Sequence, residues 1–231
     1  MAETKKTVFF IVEGNTDKTA LQNIFKKIYK HKNIRFEFTN GDVTSDDLID
    51  ENNVSDKLYL LVERYIIDNK LNKTDIWQIV HIFDTDGTYI PESSIVEGES
   101  NKFVYSTTNI ACKSREKVIE RNEKKSRMME YLLTVGEIKS IPYRCYYMSS
   151  NLDHALYDEQ NLSDDDKKEY ADAFYSAFLN KEKKFIEFLE TDVVNGVPNT
   201  FPSSWRYIKD GLHSLERHTN LHIYFKENPY E

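Results

Sequence analysis

The stretches Val8-Phe9-Phe10-Ile11-Val12-Glu13-Gly14-Asn15-Thr16-Asp17 and Ile79-Val80-His81-Ile82-Phe83-Asp84-Thr85-Asp86-Gly87 decide how this chain folds. In each, an apolar run rich in β-branched and aromatic residues stops at carboxylates followed by glycine. A strand buried on both faces has that composition, and its abrupt polar end marks the carboxyl edge of a parallel sheet, where open α/β folds bind ligands. Glu13, Asp84 and Asp86 on two neighbouring strand ends form a hard, oxygen-rich set suited to Mg²⁺ or Mn²⁺. Residues i and i+2 of a strand point the same way, so Asp84 and Asp86 are expected to face one ion together.

Outward from these strands, the first half alternates in βα fashion. Residues 7–13 read as a strand, and 19–30 as a helix carrying Leu21, Ile24, Phe25 and Ile28 at helical spacing. Residues 35–39 form a short strand, 55–69 a helix with Leu58, Leu61, Val62, Tyr65 and Ile66 on one face, and 75–83 the second long strand. The expectation is an α/β fold with a doubly wound, mostly parallel, Rossmann-like sheet. Residues 91–101 read as a loop placed to act as a lid, and 103–107 as another strand.

The second half is more helical. A long helix is expected over 114–134, an aromatic strand over 143–148, and helices from Asn151 to about residue 190. Residues 195–202, with a glycine and two prolines, read as a linker, and 203–220 as one amphipathic helix with Trp205, Ile208, Leu212 and Leu215 inward. The division is thus a catalytic core over 1–150 and a helical C-terminal part over 151–231 packed on it.

Composition narrows the function classes. The 231 residues are 39% hydrophobic and 30% charged, which excludes a disordered chain. No apolar stretch approaches the ~20 residues of a membrane span. Met1-Ala-Glu-Thr-Lys-Lys6 leads into a strand pattern with no signal-peptide h-region, and Cys112 and Cys145 suggest neither a disulfide framework nor a zinc site, so a cytoplasmic protein is expected. A net charge of −8 argues against coating nucleic acid by bulk electrostatics, but leaves local docking open. Between Lys113 and Arg127, seven basic residues stand against three acids, and Lys113, Lys117, Arg121 and Lys124 share a helical face. Such a face serves either as a solvated surface or as a basic stripe.

The two acidic motifs resemble those of the Toprim domain, the catalytic fold of type IA and type II topoisomerases, bacterial primases and the overcoming-lysogenization-defect nucleases. The resemblance covers roughly residues 7–110. It implies that Glu13, Asp84 and Asp86 bind Mg²⁺ and serve strand transfer or cleavage, with Glu13 also an acid or base. Asp17 resembles the acid of the Val-Glu-Gly-x-x-Asp spacing in the nuclease branch. Within the Toprim group the chain looks most like stand-alone or short defence-associated nucleases, since no topoisomerase scaffold or tyrosine domain is identified in it. No Walker A sequence is present, and the resemblance implies, for several such systems, a separately encoded ATPase partner.

These readings converge on a metal-dependent nuclease acting on DNA or RNA. Supporting phosphate or nucleic-acid contacts are assigned to Gly14, Asp17, Lys18, Lys117, Arg121, His154 and Arg217. The helix start after Gly14 supplies amides for phosphate. His154 and Asp158 stand at i and i+4 behind the Asn151 cap. Trp205, Arg206, Lys209, His213, Arg217 and His218 combine aromatic and basic character. Two alternatives stand beside it. Asp84-Thr-Asp86-Gly87-Thr88 also resembles the first motif of haloacid-dehalogenase-type phosphatases, with Asp84 as nucleophile and Asp86 as acid or base. That reading leaves Glu13-Gly14 without a role. The third is a non-catalytic subunit binding a nucleotide or a partner.

Overall fold

The first strand, β1 (Lys6–Val12), has six of its seven residues buried, as its unbroken apolar run requires of a strand covered on both faces. The computed structural model of the chain describes residues 6–229 apart from 31, 33, 41, 42, 45, 47 and 194. Helix α1 (Asn15–Ile28) returns the chain to β2 (Ile34–Asn40), which lies parallel to β1. Helix α2 (Val54–Asp68) then leads to β3 (Ile76–Asp84) on the other side of β1, also parallel.

After β3 the chain builds a small sheet from β4 (Ile95–Glu97), β5 (Val104–Tyr105) and β6 (Ile110–Cys112), in the order β4-β6-β5. The expected lid loop is therefore partly strand, closed over its own cluster of Ile90, Ile95, Ile110, Cys112, Val118 and Leu215. Helix α3 (Arg115–Thr134) and β7 (Glu137–Ile138) lead to β8 (Ile141–Ser149), which runs parallel to β3 while β7 lies antiparallel on its far side. The main sheet has the order β2-β1-β3-β8-β7.

Beyond β8 come α4 (Leu152–Tyr157), α5 (Asp164–Phe178), α6 (Glu182–Thr191) and α7 (Phe201–Ile208). The single helix expected over 203–220 is absent. α7 stops at Ile208, Gly211 takes a φ of +54°, and turns lead to β9 (His218–Thr219), antiparallel to β8, and to α8 (Leu221–Glu227). Asp210-Gly211 ends the helical pattern because a left-handed residue cannot continue it.

Alternate residues of the strands face two cores, as the period of two dictates. Val8, Phe10 and Val12 join Val80, Ile82, Tyr146 and Met148 under α1, α5, α6 and α8, where Phe10 stacks on Phe38 at 4.5 Å between ring centroids. Phe9 and Ile11 join Ile79, Phe83, Tyr143 and Tyr147 under α2, α3 and α7. Burying each such ring stabilises the fold by about 1.5–3 kcal/mol. Leu156, Phe174, Phe185 and Tyr224 share the first cluster with β1, so the C-terminal part completes the core of the sheet. The architecture is α/β with a mixed, mostly parallel sheet. Both cysteines are free and buried. Among the described residues no helix is long and apolar enough to cross a membrane.

Candidate functional site

The register between the two acidic strands sets the site. Ile11 lies opposite His81, so Glu13 arrives beside the end of β3. There it is pinned, because the Asp84 amide donates to Glu13 Oε1 at 3.1 Å. On the other flank β8 ends, Asp84 opposite Met148, and the Leu152 amide opening α4 donates to Asp84 Oδ1 at 2.9 Å. Both acids are thereby fixed at the carboxyl edge.

Asp86 reaches the site by another route than the one expected. β3 stops at Asp84, and Asp86 has a φ of +50°, so the two-residue alternation of a strand does not extend to it. A left-handed turn places it instead, with Gly87 following at +66°. The turn is held by backbone donors: Asp86 N–H to Ser150 O at 2.6 Å and Gly87 N–H to Ser214 O at 3.0 Å. Thr85, fully buried between them, donates its hydroxyl to Ser214 O at 2.8 Å.

The residue that joins these acids is Lys125, on α3 and 0% exposed. Its ammonium donates to Glu13 Oε1 at 3.2 Å, to Glu13 Oε2 at 3.1 Å and to Asp86 Oδ2 at 2.5 Å. Burial alone would favour the neutral amine, but the carboxylates of Asp86, Glu13 and Asp84 overcome that and hold its pKa above the ordinary lysine value. Sequence reasoning counted Lys125 only as part of a basic stripe. The signal was its phase: Val118, Asn122, Lys125, Met129 and Leu132 follow the 3–4 spacing of the buried face of α3. A lysine on that face needs a partner.

Arg121, one turn earlier, sits 3.6 Å from Asp86 Oδ2 through Nη1 and donates from the same atom to the Tyr105 hydroxyl at 3.2 Å. Its guanidinium lies over the rings of Phe103 and Tyr105, with centroid distances of 5.0 and 5.9 Å. Nε and Nη2 of Arg121 are buried and find no hydrogen-bond acceptor among the described residues. Burial, followed by the charge of Asp86, pushes the Tyr105 phenol up to about 12, so it remains a donor at neutral pH.

The other expected contacts are engaged elsewhere. Lys18 pairs with Glu37 at 3.7 Å, and Lys117 is exposed on α3. Gly14 turns the chain from β1 into α1. The side chain of Asp17 lies outside the described residues. His154 is 3% exposed and accepts from the Ser150 amide through Nδ1 at 3.0 Å, while burial lowers its pKa to about 4. Asn151 caps α4, its side chain accepting from His154 N–H at 2.8 Å. Arg217 donates Nε to the carbonyls of His154 and Ala155 at 3.2 and 3.1 Å, satisfying the last turn of that helix. Trp205 is core, 3% exposed.

Three carboxylates at one edge match in kind the donors a hard divalent ion takes. Among the described residues no three His, Cys, Asp or Glu side chains are grouped as a ready-made ion cage. The positive charge at the point of convergence is that of Lys125, and Glu13 and Asp86 would exchange part of their contact with it for an ion. No protein-family model, curated protein or solved structure matches the chain significantly.

Proposed function

We propose that this chain is a divalent-metal-dependent phosphodiesterase of Toprim type, built on a doubly wound sheet and cleaving DNA or RNA. One observation carries the reading: Glu13 and Asp86 share the buried ammonium of Lys125, with Asp84 held next to Glu13 at the same carboxyl edge and the Arg121 guanidinium beside Asp86. Glu13, Asp84 and Asp86 would hold an ion of the Mg²⁺ or Mn²⁺ type, which would supply Lewis-acid polarisation of a phosphoryl oxygen. The protein's own groups do the rest. The Arg121 guanidinium beside Asp86 adds positive charge on the side where a phosphate would lie. Lys125 keeps a permanent positive charge against the developing negative charge. Glu13 takes the proton of the attacking water as its oxygen bonds to phosphorus, the bond from phosphorus to the leaving sugar oxygen breaks, and solvent protonates that oxygen. With three carboxylates against Lys125 and Arg121, the cluster carries about one negative charge, which a divalent ion reverses, favouring a phosphate. A role in phage defence, a cytoplasmic setting and a separately encoded ATPase partner belong to the same proposal and rest on the resemblance.

The test is incubation of the purified protein with Mn²⁺ or Mg²⁺ and ssDNA, dsDNA, total tRNA or a phosphomonoester, beside Glu13→Gln, Asp84→Ala and Asp86→Asn. Diester cleavage lost in all three variants is expected. Cleavage indifferent to Glu13 would sink the reading. Monoester hydrolysis that ignores Glu13 but requires Asp84 would select the phosphatase.

A further inference from the structure

A cleft of about 390 Å³ opens between the small sheet and the start of α5, and Phe103, Tyr105, Asp153 and Lys167 line it. Two of its walls are direct neighbours of the site. Tyr105 accepts from Arg121, which faces Asp86, and Asp153 follows Leu152, whose amide holds Asp84.

Asp153 is the unusual residue here. It is 6% exposed, its Oδ2 stands 3.6 Å from the Lys167 ammonium, and its Oδ1 is buried with no hydrogen-bond partner among the described residues. A buried carboxylate oxygen without a donor costs on the order of 1–3 kcal/mol, so a ligand that brings one is favoured. Phosphate brings only acceptors and would be repelled. A flat ring that stacks on Phe103 or Tyr105 and presents N–H groups at its edge suits both features.

We propose that this cleft seats a guanine base. Guanine alone among the four common bases offers two adjacent donors, N1–H and the 2-amino group, to one carboxylate. Adenine and cytosine set their amino group next to a ring acceptor, and uracil flanks its single N–H with two carbonyls. Lys102, also on the wall, and Lys167 supply positive charge for the attached phosphate. Its links to Asp86 through Tyr105 and Arg121, and to Asp84 through Leu152, make the cleft a subsite of the proposed nuclease, so as a specificity determinant it rests on that reading, though binding itself does not.

The experiment is equilibrium dialysis of the full chain, without metal, against guanosine, inosine, adenosine, cytidine and uridine 5′-monophosphates. Guanosine monophosphate should bind about tenfold or more tighter than the others, with the inosine nucleotide, which keeps N1–H alone, next. Asp153→Asn should abolish that preference, while Lys167→Met should weaken all five and keep their order. Equal binding of all five, no binding to the wild type, or a preference surviving Asp153→Asn would overturn the proposal. Assaying the same wild-type protein for cleavage with Mn²⁺ separates the two readings: guanine binding in a wild type that cleaves no nucleic acid would remove the nuclease and leave the cleft.

Discussion

Lys125 Nζ lies 2.5 Å from Asp86 Oδ2, joining the middle of α3 to the turn after β3 in a place where the lysine side chain is 1% exposed. Glu13 shares the same ammonium at 3.1 Å, so three distant segments meet on one charge. A charge so placed is costly to orphan. Lys125→Met should destabilise the fold by about 3–5 kcal/mol, because it leaves Glu13 without a cation and Asp86 with Arg121 alone. Urea unfolding measures it. Adding Glu13→Gln and Asp86→Asn to Lys125→Met should recover part of the loss, since contacting residues are not additive. A triple variant as unstable as the sum of its parts would refute the coupling.

Lys125→Gln should also separate binding from turnover. Removing a positive charge about 3 Å from the carboxylates raises their attraction for a cation, so Mn²⁺ affinity should rise about tenfold by calorimetry. Cleavage should fall in the same variant. Chelation of the wild type should leave its melting temperature nearly unchanged, because Lys125 holds the acids together without an ion. Unaltered Mn²⁺ affinity in Lys125→Gln would mean that ammonium and metal do not compete.

Gly87 is a second sensitive point. Its φ is +66°, and a Cβ there would meet Leu215 Cδ2 at 2.6 Å and Ile110 Cδ1 at 2.9 Å. Gly87→Ala should cost about 1–3 kcal/mol from overpacking added to a strained backbone. Leu215→Ala in that background should relieve the closer of the two clashes but leave that with Ile110 and the backbone strain. Thermal melts of the two single variants and the double variant read this directly.

The buried histidines give the pH dependence a sign. His222 is fully buried, neither ring nitrogen has a hydrogen-bond partner among the described residues, and burial takes its pKa down to about 4. His154 is lowered to about 4 by the same cause. A histidine depressed in the folded state binds more protons when unfolded, so its contribution is complete above about pH 6.5 and is lost as pH falls toward 4. Asp153, whose carboxyl burial raises, acts in the opposite sense over its own range. His222→Leu should flatten the stability loss between pH 6.5 and 4 in denaturant titrations. An unchanged slope would assign the loss elsewhere.

The main strands and the first two helices were legible because long apolar runs and 3.6-residue spacing are properties of local sequence. Glu13 and Asp84 were legible for the same reason, as the polar ends of two runs. Asp86 was found by its motif, but its geometry was not, since a left-handed turn held by Ser150 and Ser214 depends on partners 64 and 128 residues away in the sequence. Strands of three residues, such as β4 and β6, are shorter than any periodicity can register. The turns after Ile208 were masked by Leu212 and Leu215, which continue a helical spacing by coincidence while Leu215 packs under the small sheet. Lys125 required knowing which face of α3 is buried.

Ser214 has one more consequence. Its carbonyl receives both Thr85 and Gly87, and four residues later β9 closes against β8. A chain leaving the ribosome can therefore build its first strands and display Glu13 and Asp84 long before the loop bearing Asp86 is latched. That latch waits for residues 214–219, so the fold carries its own delay: the turn bearing Asp86 is fastened only once the segment that follows α7 has been made.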